Sequence, residues 1–154
     1  MDVDLDNLSV LAPAKRLAEQ ALTELLSPDP TVRNAALEAL RPRDEDYGQV
    51  FSPEVADGVK QATETAWQRL SPPRVGPRTQ LQLGCTLAEH INQSGAFPGG
   101  YKRLEGQVQP GRVWVLFRFA EPGSRTGLTF DGLVYMGAER FAWFPKAWRG
   151  VPTA

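Results

Sequence analysis

At residue 79 the spacing of apolar side chains changes from three-and-four to two, and this change limits the fold more than any other feature. Before it, Leu11, Ala14, Leu17, Ala18, Ala21, Leu22, Leu25 and Leu26 form one helical stripe. SPDP at 27–30 ends that helix and opens a second, with Asp29 as N-cap and Pro30 as first helical residue. Val32, Ala36, Leu37 and Leu40 give the second helix its apolar face, and Pro42 ends it. YGQVF at 47–51 reads as a short edge strand or plain loop. Ser52 and Pro53 then start a third helix with a stripe of Val55, Val59, Ala62, Ala66 and Leu70. SPPRVGP at 71–77 is a rigid linker.

After the change, TQLQLGC alternates as a strand, and KRLEGQV, RVWVLFRFA, LTFDGLVYM and RFAWF read as four more, joined by QPG, EPGSRTG and GAE. TLAEHINQSG fits either continued strand or a short helix, and Thr86 and Glu89 at capping-box spacing with Gly95 to close it favour the helix. FPGG at 97–100 reads as a loop. The expected fold is therefore α+β: three N-terminal helices packed on one face of a twisted antiparallel sheet of four to six strands. The 154 residues fit a single domain, with residues 1–70 as the helical layer and 79–148 as the sheet.

Side-chain period fixes the expected register, because a slip of one residue exchanges the two faces. Asp131-Gly132 could form a hairpin turn, but length matching favours strand interior. Pairing Phe119 with Phe130 sets Phe117 against Gly132, Val115 against Val134 and Val113 against Met136. The other face then pairs Trp114 with Tyr135, Leu116 with Leu133 and Arg118 with Asp131. Beyond GAE, Phe141 and Trp143 are expected beside Val134 and Met136.

One face, comprising Leu104, Val108, Val113, Val115, Phe117, Phe119, Phe130, Val134, Met136, Phe141 and Trp143, is expected to pack on the helices. The second face carries Trp114, Leu116, Leu133, Tyr135 and Phe144 with Arg118 and Asp131. That set is too apolar for open solvent and marks a ligand pocket or partner surface. Trp148, beyond Pro145, is expected to fold back over it.

Element order and size resemble the cone-like folds of the nuclear transport factor 2-like superfamily, which includes polyketide cyclases and ketosteroid isomerases. The features concerned are three helices, a short YGQVF segment before the third, and a following antiparallel sheet. No motif matches residue by residue, so no site residue is carried over. The resemblance implies a sheet that lines a pocket or forms a dimer surface, and the fold by itself does not specify a function.

Composition narrows the chemistry. The net charge of -1 gives no general attraction to nucleic acid or anionic membrane. Residues 1–70 carry 7 Lys/Arg against 13 Asp/Glu and residues 71–154 carry 10 against 5, as expected for an acidic helical layer on a basic sheet. Cys85 is the single cysteine, so no intramolecular disulfide forms, which suits the cytoplasm. The acidic start MDVDLDNLSV has no signal-peptide pattern, and no run is long and apolar enough to span a bilayer.

No residue set reads as catalytic or metal-binding, and no cofactor is expected. His90 is the only histidine, five residues from Cys85, a spacing that does not make a nucleophilic pair. Cys85 shares strand parity with Leu81 and Leu83 and reads as an apolar core residue. The glycines of FPGGY and QPG lack the strand-to-helix context of a phosphate loop. Asp131 reads first as half of a cross-strand ion pair with Arg118, and second as a pocket acid with a raised pKa. The leading expectation is a non-enzymatic binding or assembly module using the second face for a homodimer or protein partner. The alternative is a binder of a small apolar ligand, or an isomerase- or cyclase-like enzyme, with a pocket near Asp131. A third reading is single-stranded nucleic-acid binding through Trp114, Trp143, Trp148 and the scattered basic residues.

Overall fold

A computed structural model describes residues 11–74, 76–93, 97–124 and 127–151. Gly95 and part of the EPGSRTG connection lie outside the described residues. The helical half comprises α1 (Leu11–Thr23), α2 (Pro30–Ala39), α3 (Asp44–Val50) and α4 (Pro53–Trp67). The sheet half comprises β1 (Gln80–Leu87), β2 (Val113–Ala120), β3 (Gly127–Gly137) and β4 (Arg140–Trp143), in antiparallel order β1-β2-β3-β4. The class is α+β, as expected.

Local chemistry explains most element boundaries. The α2 cap forms as read, with the Thr31 amide donating to Asp29 Oδ1 at 2.9 Å. YGQVF is neither edge strand nor loop: its first four residues end helix α3. Asp44, Glu45 and Asp46 fill the first turn of α3, and the Arg43 amide donates to Asp46 Oδ2 at 2.7 Å, which favours helix there. KRLEGQV is not a strand. A 3-10 turn runs over Gly99–Leu104 and buries Tyr101 and Leu104, three residues apart and so on one side of a three-residue turn. Only Val108 bridges to Phe51. Residues Ala88–Gln93 form the expected short helical segment, of 3-10 type. Thr86 belongs to β1 and Glu89 accepts from the Gly111 amide, so the two do not form a capping box.

The helices divide between both faces of the sheet instead of covering one. On the first face, α1, α2 and Trp67 pack against Cys85, Val113, Val115, Phe117, Phe119, Leu133, Phe141 and Trp143. On the second, Tyr47, Val50 and Phe51 from α3 and its end, with Val55 and Val59 from α4, pack against Trp114, Val134, Ala142 and Phe144. Tyr101, Leu104, Ala147 and Val151 close this second core.

A two-residue shift at the loop end and a β-bulge together make up the difference in register. Phe117 pairs with Phe130 and Val115 with Leu133, so Asp131 and Gly132 together oppose Leu116. Gly132 has φ +87°, a conformation that L side chains avoid, and a Cβ there would lie 2.0 Å from the Phe144 carbonyl oxygen. The bulge reverses the parity of the rest of β3. Leu133 and Tyr135 join the first core, whereas Val134 and Met136, with Leu104 and Val108, belong to the second. Accordingly β4 pairs Trp143 with Leu133 and Phe141 with Tyr135, not with Val134 and Met136. At the loop end of the strand pair, Phe119 faces Leu128 instead of Phe130.

Candidate functional site

The bulge brings one buried acid into a defined environment. Asp131 Oδ1 accepts the Tyr101 hydroxyl at 2.8 Å and the Lys146 amide at 3.1 Å. Its main-chain carbonyl accepts Trp143 Nε1 at 2.7 Å, and the neighbouring Gly132 carbonyl accepts the Phe144 amide at 2.8 Å. Asp131 is therefore joined to β4, to the 99–104 turn and to the C-terminal segment. Burial pushes its pKa above the ordinary 3.8, partly offset by the Tyr101 and Lys146 hydrogen bonds and by the Lys146 and Arg149 charges. Burial and the adjacent Asp131 push the Tyr101 phenol well above its ordinary 10.0. Trp148 folds back as expected, its ring 5.1 Å from that of Tyr101. A hydroxyl so enclosed and held against a carboxylate is a structural donor.

The expected Arg118–Asp131 pairing does not form across the strands. Arg118 pairs with Thr129, and its guanidinium donates to Thr129 Oγ1 at 3.1 Å and to Gln82 Oε1 at 3.3 Å. The second face is thus polar at the Arg118 end and apolar at the Trp114 end.

The other candidate residues separate in the same way. Trp114 and Phe144 are fully buried in the second core, where Trp114 meets Phe51 and Tyr101 edge-to-face. Leu116 is buried opposite the bulge. Leu133 and Tyr135 lie on the first face, Tyr135 with its ring 5.1 Å from that of Phe141. The apolar surface expected to be open is thus largely covered by the chain's own α3, α4 and 3-10 turns.

The sequence reading missed one buried ion pair. Asp46, with no exposed side-chain area, takes both terminal nitrogens of Arg140, at 2.6 and 2.9 Å, joining α3 to β4. Burial favours the neutral acid, but the hydrogen bonds from Arg140 and the Arg43 amide, with their charges, outweigh it and hold the Asp46 pKa below 3.8. The only sequence signal was an acidic first turn. Its partner lies 94 residues away in the chain, beyond any local pattern.

The sheet's two edges differ. At β4 both main-chain groups of Trp143 are taken, the amide by the Leu40 carbonyl at 2.8 Å and the carbonyl by Trp67 Nε1 at 3.0 Å. That strand has four residues, carries Arg140 and is followed by Pro145. β1 has eight residues, no charge, no proline and an unbroken register with β2. The Ala88 amide donates to the Arg112 carbonyl, so even-numbered residues turn their main-chain groups toward β2. Odd-numbered Leu81, Leu83 and Leu87 turn theirs outward. Among the described residues no strand pairs with that side of β1.

Among the described residues no cluster of three or more His, Cys, Asp and Glu could hold a metal ion, and no helix is long and apolar enough to cross a membrane. No family model, curated protein or solved structure matches the chain.

Proposed function

We propose that this chain is a non-enzymatic assembly module that associates, with itself or a protein partner, through the open edge of its sheet. The observation that carries the reading is the contrast between the edges. Folded proteins protect edge strands with charge, proline, bulges, brevity or a covering helix or loop. β4 is short, carries a charge and is followed by proline, whereas β1 has no charge, proline, bulge or brevity. An eight-residue uncharged edge offers a ladder of main-chain hydrogen bonds to an incoming strand. Sedimentation of the wild type and of Leu81→Pro tests the reading. Proline at 81 removes an outward amide and leaves the ladder to β2 intact. The wild type should assemble, with itself or on addition of its partner, and the folded variant should not; assembly of both to equal mass would contradict the reading.

A second reading is favoured by a cleft of about 340 Å³ floored by Ile91, Tyr101, Leu104 and Val108 and rimmed by Glu89 and Glu105. Its lining suits a small apolar ligand, and its floor includes the tyrosine that donates to Asp131. Titration with the uncharged fluorescent probe N-phenyl-1-naphthylamine tests it: saturable binding that Val108→Arg abolishes supports this cleft, and no binding counts against it. For single-stranded nucleic acid, Trp114 and Trp143 offer no stacking surface, since both are buried in the cores.

A further inference from the structure

We propose that the cleft between the start of α1 and the adjoining ends of β2 and β3 binds a small organic carboxylate, its charge held by Arg112 and its apolar body laid against Pro13, Ala14 and Leu17. The site includes no residue of β1, so the proposal is independent of the edge reading.

The cleft has a volume of about 460 Å³, within the range of small-molecule sites. Pro13, Ala14 and Leu17 form its helical wall, and Val113 and Tyr135 line it from the sheet. Among the described residues that line it, Arg112 carries the only charge. Small-molecule sites have this make-up, mostly apolar walls with a few polar groups that fix orientation.

Arg112 points to an anion because the fold gives it no counter-charge. It is partly buried, and no salt bridge joins it to an acid among the described residues. Its guanidinium has two neutral acceptors, the Tyr135 carbonyl at 3.5 Å and Gln49 Oε1 at 3.4 Å. Both distances exceed the usual range for an N–H···O bond. Glu89 Oε1 accepts the Gly111 amide at 3.1 Å and does not pair with Arg112. Arg140 shows the contrast within the same chain, with both terminal nitrogens on Asp46 at 2.6 and 2.9 Å. A cation drawn partly out of water is costly unless it is paired. The main chain holds Arg112 in place, its carbonyl accepting the Ala88 amide at 2.8 Å.

Charge and shape select the class of anion. One guanidinium balances one negative charge, and its planar fork of donors matches a carboxylate. A phosphate monoester would bring about 1.5–2 negative charges and leave part of them unpaired against apolar walls. Pro13, Ala14 and Leu17 offer no polar partner to the rest of the molecule, so its body is apolar.

Calorimetric titration with 4-phenylbutyrate tests the site, beside its uncharged amide, 4-phenylbutanamide. The acid should bind saturably, and the amide about tenfold more weakly or worse. Arg112→Met should weaken binding of the acid about tenfold and leave that of the amide unchanged. Arg112→Lys keeps the charge without the fork and should fall between wild type and Arg112→Met. The comparison of acid with amide needs only the wild type, so it decides even where a variant fails to fold. Equal binding of acid and amide would overturn the proposal, as would no saturable binding of the acid at about 1 mM. Loss of binding in Val108→Arg with none in Arg112→Met would place the acid in the cleft floored by Val108 and overturn it too.

Discussion

The Tyr101 hydroxyl and the Lys146 amide converge on one oxygen of Asp131, at 2.8 and 3.1 Å. The carboxylate ties together a 3-10 turn, a β-bulge and the residue that follows β4. Lys146 itself has φ +49°, unusual for a residue with a side chain, and the hydrogen bond its main-chain amide donates to Asp131 helps hold that turn.

Tyr101→Phe removes the donor and leaves a buried carboxylate short of one partner. The expected cost is about 1–3 kcal/mol. Equilibrium denaturation in urea measures it, and near-neutral stability would mean that Asp131 does not depend on this bond.

Asp131 holds its proton to higher pH in the folded chain than in the unfolded one, because its folded pKa lies above 3.8. Its stabilising contribution is complete below 3.8 and is lost as pH rises through the folded value. Asp131→Asn keeps an oxygen acceptor for Tyr101 and Lys146 but cannot ionise. Denaturation midpoints of this variant should lack the wild-type decline above pH 3.8; parallel profiles for the two chains would contradict the account.

Asp46 gives the opposite sign. Its folded pKa lies below 3.8, so its contribution is present above 3.8 and lost as pH falls through the folded value. Arg140→Met leaves the buried carboxylate unpaired, with an expected cost of about 3–5 kcal/mol at pH 7. The double variant Asp46→Asn/Arg140→Met should recover part of that loss, and a double-mutant cycle measures the coupling.

Gly132→Ala combines a left-handed backbone with a Cβ placed 2.0 Å from the Phe144 carbonyl oxygen. The expected loss is about 3 kcal/mol, or about 6–12 °C in Tm. Calorimetry reading less than about 1 °C would mean that the bulge can relax without penalty.

Much of the fold was legible because it depends on local pattern. The Leu11–Leu26 stripe, the Asp29 cap and the change of period before β1 were read from neighbours within a few residues, and each has its structural counterpart. The bulge was not legible, because Asp-Gly fits a turn, a plain strand or a bulge equally well until β2 is laid beside it. That one extra residue exchanged Leu133 and Tyr135 with Val134 and Met136, and a two-residue shift on the loop side of the bulge separated Arg118 from Asp131. KRLEGQV alternates well enough for a strand; only the burial of Tyr101 and Leu104 against the second core selects the 3-10 turn. Of the candidate surface, the apolar character of Trp114 and Phe144 was read correctly. Of what covers them, α4 was assigned to the wrong side of the sheet and α3 was not read as a helix.

Amide hydrogen exchange at Leu83, followed across protein concentration, tests the central claim most directly. Leu83 turns its amide to the outer edge of β1, away from β2. Strong protection at high concentration that is lost on dilution, and absent in Leu81→Pro, is the predicted result. Fast exchange at every concentration, with β2 amides protected throughout, would show that the edge is not an assembly surface and would contradict the account.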